Sequence, residues 1–191
     1  NLAAGTYICT ITDANGATID KTVTISQISA LAASTSQTNV SCNAGVNGAA
    51  SVSVSGGTSP YTYSWSPSGG LTSSVSNLAA GSYTCTITDT NGCTLTKSFT
   101  ITQPSALTAT SAATNVSCNG GSNGVASVSA SGGTSGYSYS WSPTGGTNAI
   151  ASGLASGNYT CTITDANGCF INKSFTITQP TLLTATTSVT Q

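Results

Sequence analysis

The sequence predicts an all-β protein built of tandem β-sandwiches, and three observations lead there. An eleven-residue stretch recurs at a fixed period: residues 7–17 read YICTITDANGA, 83–93 YTCTITDTNGC and 159–169 YTCTITDANGC, a repeat of 76. Within each copy the apolar side chains keep one parity (Tyr83, Cys85, Ile87) and the hydroxyls keep the other (Thr84, Thr86, Thr88), which describes a strand with one buried face. No stretch carries a helical period, and turn signals come about every 8–12 residues. Together these describe Greek-key sandwiches of immunoglobulin type, with about seven short strands per repeat, stacked as a rod.

Taking one repeat in order, residues 31–42 open it, with Val40 and Cys42 on one parity, and Asn43 to Gly48 form a turn. Ala50, Val52 and Val54 alternate with serines as a clear strand, which Gly56-Gly57 breaks. Tyr61, Tyr63 and Trp65 follow on one face, as do Tyr137, Tyr139 and Trp141 a repeat later; these aromatics are expected to form the largest block of the core. A weaker strand crosses residues 71–77. Tyr83 and Tyr159, each two residues before a cysteine, are either tyrosine corners or ordinary core tyrosines. Asn91-Gly92 suits a tight two-residue hairpin turn. In that register Cys93 lies opposite Thr90, and a Cys85–Cys93 bridge is not expected.

The period sets the domains: 28–103 and 104–179 are whole repeats, 1–27 the end of a preceding one, and 180–191 the first strand of a following one. Asn1 is no natural start, so the expectation is a window on a longer chain. Pro104 and Pro180 stiffen the junctions.

Composition excludes several functions. There is no His, Arg, Glu or Met; the cations are Lys21, Lys97 and Lys173, and the acids Asp13, Asp20, Asp89 and Asp165. Three lysines cannot make the basic face that nucleic acid requires. A serine or threonine nucleophile lacks a base, so no enzyme is expected. No CxxC or histidine pattern offers a metal or cofactor site. Cysteines in domains this small point to an oxidising, extracellular compartment.

The run SCN-x-G-x-x-G, then GGTSPYTYSWSP, NLAAGSYTCTITDTNGC and FTITQP, resembles the SprB-repeat family: PKD-like, immunoglobulin-type modules of Bacteroidota gliding-motility surface adhesins. The resemblance covers both whole repeats and the partial one. It implies type IX secretion, display at the cell surface, and attachment to the outer-membrane gliding and secretion machinery through other parts of the protein. It also implies that the SCN and NGC cysteines are the recurrent pair, which favours Cys42–Cys93 and Cys118–Cys169 and leaves Cys85 and Cys161 as buried thiols. The rival pairing joins Cys42 to Cys85 and Cys118 to Cys161, like the inter-sheet bridge of antibody domains. Ala17 stands where the first NGC cysteine would be.

Other features have plain readings. Asp89-x-Asn91 and Asn43 to Asn47 offer too few carboxylates for calcium and shape turns. Lys97 shares the inner parity of Leu95 and Phe99, to snorkel at a domain end or pair with Asp89. The threonine rows of 84–88 and 94–102 are solvated strand faces. The function expected is a force-bearing spacer in a long adhesin. One alternative has the repeats themselves bind polysaccharide or an abiotic surface, which exposed Tyr or Trp would favour. Another has them associate laterally in a bundled extracellular filament.

Overall fold

The computed structural model describes residues 1–189. All regular structure among them is β, as the alternation implies. A hairpin, β1 (Gly5–Thr12) and β2 (Thr18–Ile25), comes first. Six strands follow: β3 (Ala32–Thr38), β4 (Gly48–Ser55), β5 (Thr62–Ser66), β6 (Ser74–Leu78), β7 (Gly81–Thr88) and β8 (Thr94–Ile101). The same six recur 76 residues on as β9 (Thr108–Thr114), β10 (Gly124–Ser131), β11 (Ser138–Ser142), β12 (Ile150–Leu154), β13 (Gly157–Thr164) and β14 (Phe170–Ile177). No strand forms within 181–189. Residues 190–191 of the segment expected to open a following repeat lie outside the described residues. Among the described residues no helix is long and apolar enough to cross a membrane.

Each set of six makes two three-stranded sheets with the same order, β3-β4-β6 with β5-β7-β8 and β9-β10-β12 with β11-β13-β14. Six strands replace the expected seven or so. In the seven-stranded immunoglobulin arrangement a further edge strand sits beside the strand corresponding to β12. Here residues 143–149 fold back on Trp141 instead: its backbone N–H donates to Gly146 O (3.3 Å) and its indole Nε1–H to Asn148 O (2.9 Å). A loop held this way has no extended backbone left to pair at the sheet edge.

By contact the chain divides into two compact units. One comprises Asn1–Ser36, Ala50–Val75 and Tyr83–Phe99; the other comprises Gln37–Ala49, Ser76–Ser82 and the chain from Thr100 onward. Several segments of the expected repeat 28–103 therefore group with the repeat that follows it.

In the second unit the core lies between two sheets. Ala126, Val128, Ala151 and Leu154 come from one, and Trp141, Tyr159, Cys161, Ile163, Phe175 and Ile177 from the other. Trp141 tilts 40° against Phe175 at 5.2 Å between ring centres. In the first unit Trp65 repeats this on Phe99 (5.1 Å, 39°), and Ala50, Val52, Cys85 and Ile87 are buried. The tryptophans supply the aromatic bulk, as the pattern implies. Tyr61, Tyr63, Tyr137 and Tyr139 are only half-buried. Tyr61 and Tyr137 each donate to the carbonyl of Gly56 or Gly132 at 2.6 Å. Tyr83 and Tyr159 are buried, and the Tyr159 hydroxyl donates to Ala155 O at 3.1 Å, the bond of a tyrosine corner. In β1–β2, which pair only with each other, the equivalents Cys9 and Ile11 are exposed.

Candidate functional site

The site grows from two loops that recur at opposite ends of each strand pair. The first is the hairpin between β13 and β14. Asp165 N–H donates to Cys169 O (2.9 Å) and Gly168 N–H to Asp165 O (3.0 Å), with Gly168 at φ +82. This is a three-residue loop, a type I turn closed by a left-handed glycine. The expected two-residue turn needs positive φ at asparagine as well, and only the glycine has it. Cys169 consequently lies opposite Asp165, and Cys93 opposite Asp89 rather than Thr90.

Asp165 organises the hairpin. It is 5% exposed, and its carboxylate accepts three backbone N–H bonds, from Thr134, Asn167 and Cys169, all at 2.9 Å. The Thr134 N–H, opposed by burial and aided by the N–H groups of Cys169 and Asn167, holds its pKa below the ordinary carboxylate value. At Asp89 burial pushes upward, but the N–H groups of Cys93, Thr58 and Asn91 and the Cys93 thiol outweigh it and leave the pKa lowered. Lys97 and Lys173 sit half-buried on the inner parity, Lys173 opposite Cys161 in the ladder. The aspartates are satisfied by backbone, which is the turn-shaping role the sequence suggests.

The second loop carries SCN. Val40 N–H donates to Thr102 O (2.9 Å), and Asn39 Oδ1 accepts from Thr102 N–H (3.0 Å). Asn47 Oδ1 accepts from Ser41 N–H at 3.0 Å, while its amide donates to Ser41 Oγ at 2.7 Å. Ala44 N–H donates to Gln103 Oε1 (2.7 Å) and Asn43 Nδ2 to Pro104 O (3.0 Å). Asn43 and Asn47 thus spend their polar atoms fixing the loop.

These two loops meet in a disulfide, Cys42–Cys169, with Cα atoms 5.7 Å apart and a sequence separation of 127. Asn167 Nδ2 donates to Ser41 O at 2.9 Å, and the Cys169 sulfur lies 3.5 Å from the same oxygen. A cleft beside the bridge is lined by Asn43, Ala106, Leu107, Phe170 and Ile171. Among the described residues no cluster of His, Cys, Asp or Glu is placed to hold a metal ion.

Both sequence-based pairings are corrected by this bridge. Cys93 and Cys118 are free and exposed; Cys42 and Cys169 are bonded to each other. The reason is strand length. Val116 N–H donates to Thr178 O (3.0 Å), which places the SCN loop at the far end of β14 from Cys169. Eight residues of strand separate the two ends, about 26 Å at ~3.3 Å per residue, far beyond disulfide reach. The antibody-like alternative fails as well. Cys161 is fully buried on β13, facing a core filled by Ala126 and Val128, while Cys118 sits on an exposed loop. Cys85 and Cys161 are buried thiols, and burial pushes both pKa values up. The missed signal is arithmetic: within a repeat the SCN and NGC cysteines are 51 residues apart, and the bridge spans that distance plus one period.

The fold and this joint define the class, tandem immunoglobulin-like β-sandwiches. The model of the SprB repeat matches the chain twice, at residues 34–70 and 110–147, which supports the resemblance to that family. No curated protein sequence matches it. Among solved structures, the N-terminal eight Ig domains of Down Syndrome Cell Adhesion Molecule align at 14% identity and TM-score 0.48, over 93% of this chain and 28% of that one. The amphioxus IgVJ-C2 molecule aligns at 16% identity and TM-score 0.35, over 73% of this chain and 100% of that one. Identities this low carry no information about function.

Proposed function

We propose that this chain is a load-bearing spacer of a long cell-surface adhesin, displayed outside the cell. The observation that carries this reading is the Cys42–Cys169 bridge, which ties the SCN loop to a hairpin 127 residues further on. Tension entering at one end crosses the sulfur–sulfur bond and bypasses the intervening backbone. Burial of Trp65, Trp141, Tyr83 and Tyr159 takes these four aromatics out of reach of a polysaccharide, which supports a spacer over a sugar-binding surface. The outer hydroxyl rows partly bond within their own sheet, Thr162 Oγ1 donating to Asn172 Oδ1 at 2.8 Å. The SprB match supports the finer reading, export by type IX secretion and service in gliding motility, with outer-membrane attachment made by other parts of the protein.

Pulling the oxidised and the reduced chain by its ends tests the mechanical role. Reduction is expected to add ~420–460 Å of extensible contour, the span of 127 residues at ~3.3–3.6 Å each. Equal extension in both states overturns it.

A further inference from the structure

We propose that Cys93 and Cys118 are the two halves of further joints of the same kind. Each bonds an adjoining repeat: Cys93 takes the SCN cysteine of a preceding one, and Cys118 takes the NGC cysteine of a following one. The partner is defined by chemistry, a loop or hairpin with the side chains that meet at Cys42–Cys169.

Two exposed thiols alone would say little. What assigns them is that each sits in a copy of a surface already bonded elsewhere in the same chain, and that each copy is preformed. Around Cys93, Asp89 accepts from the N–H groups of Asn91 (2.9 Å), Cys93 (2.8 Å) and Thr58 (3.0 Å), matching the bonded hairpin at Asp165. Asn91 Nδ2 donates one hydrogen to Thr58 Oγ1 at 2.9 Å. In the bonded copy Asn167 Nδ2 donates to Thr134 Oγ1 (2.8 Å) and also to Ser41 O, so the second hydrogen of Asn91 is the donor for an incoming serine carbonyl.

Around Cys118, Ser117 N–H donates to Asn123 Oδ1 (3.0 Å), Asn123 Nδ2 to Ser117 Oγ (2.8 Å), Gly120 N–H to Gln179 Oε1 (2.8 Å) and Asn119 Nδ2 to Pro180 O (3.0 Å). These are the bonds of the Cys42 loop, atom for atom. Neither half needs ordering before it binds, so little conformational entropy opposes association. Ala17 closes the third hairpin in place of a cysteine, and that hairpin keeps the shape without the bond: Asp13 Oδ1 accepts from Asn15 and Ala17 N–H, both at 2.9 Å.

Closing each joint joins two thiols as one disulfide and releases two protons and two electrons. The electrons pass to an external disulfide oxidant, which is reduced to two thiols. Repetition has a mechanical consequence. Only 25 residues separate Cys93 from Cys118, so load leaving one bridge at an NGC cysteine enters the next after a short backbone step. Because each bridge reaches over a full period, successive bridges alternate between two interleaved paths.

Connectivity is a separate property from load, and mass spectrometry reads it whatever a pulling experiment shows. The test lengthens the chain by a second copy of residues 104–179 placed after Gln179, refolded in oxidised and reduced glutathione. The present chain has one bridge and five free thiols. The added copy brings three cysteines, and a second bridge leaves six alkylatable thiols, with the Cys118 peptide linked to the added NGC cysteine. Eight alkylatable thiols, with Cys42–Cys169 intact and Cys118 free, overturn the proposal. Duplicating residues 28–103 instead asks the same of Cys93, whose peptide is then expected on the SCN cysteine of the first copy. That second chain keeps the question open to refutation if the first fails to fold.

Discussion

Asp165 and its equivalent Asp89 are the residues on which the hairpin half of the joint depends. Each is itself buried and accepts three backbone N–H bonds, which fix the turn around it. An aspartate in the unfolded chain titrates near ~3.9, and in the folded protein these two lie lower. A depressed carboxylate adds stability in full above the unfolded pKa and loses it as pH falls through the folded one. The urea midpoint is therefore expected to hold from neutral pH down to about 4–5 and to decline below that. The double variant Asp89→Asn with Asp165→Asn is expected to be less stable at pH 7, because each amide replaces one acceptor by a donor facing backbone N–H groups. It is also expected to show a flatter acid limb. Parallel acid limbs in the two proteins would remove the aspartates from the explanation. The role was legible: Asp-x-Asn in a turn with no other acid nearby reads as a shaping group. The burial was not, because nothing in the local sequence says that Thr58 and Thr134, 31 residues upstream, supply the third donor.

At the scale of elements, strand faces were legible and turn geometry was not. Burial on one face enforces a period of two, so Tyr159, Cys161 and Ile163 declare their side without any knowledge of partners. Asn-Gly, by contrast, suits both a two-residue turn and a type I turn closed by a left-handed glycine, and aspartate at the first position favours the second. The two kinds of glycine this leaves differ in cost. Gly168, at φ +82 with nothing within 4 Å of a hypothetical Cβ, is needed only for its backbone. Gly124 opens β10 opposite Leu154 at a register shift, and a Cβ there would lie 2.8 Å from both Ile177 Cγ2 and Leu154 O. Gly168→Ala is expected to cost about 1–2 kcal/mol from the left-handed conformation alone. Gly124→Ala must move a strand or a core isoleucine, at about 1–3 kcal/mol with a disturbed β10–β12 edge. Amide exchange separates the two: Gly124→Ala is expected to lose protection at β10 and β12, and loss of protection confined to the β13–β14 hairpin in that variant would contradict the packing argument.

At the scale of the whole chain, the repeat was legible and its covalent wiring was not. Parity and spacing place a cysteine on a face and at an end, but with a period of 76 every position has an equivalent in the next repeat. Which copy a thiol meets depends on how consecutive copies are joined, and no local pattern records that. The resemblance correctly picked SCN and NGC as the pairing classes and assigned them within one repeat, one period short of the bond that forms. The longer loop changes the energetics. Closing 127 residues removes, in the chain-entropy model, at most ~5 kcal/mol of unfolded-state freedom, slightly more than a loop of about 50 would. The bridge joins segments of the second compact unit, so its loss is expected to fall on that unit's unfolding transition. Cys42→Ser is expected to lower the denaturant midpoint of that transition by an amount worth up to ~5 kcal/mol, and reduction of the unmodified chain to match it. Cys118→Ser, on a loop with no bond to lose, is expected to stay within ~0.5 kcal/mol of the parent. If Cys42→Ser and Cys118→Ser prove equal, the bridge contributes nothing to folding, and its role is confined to load.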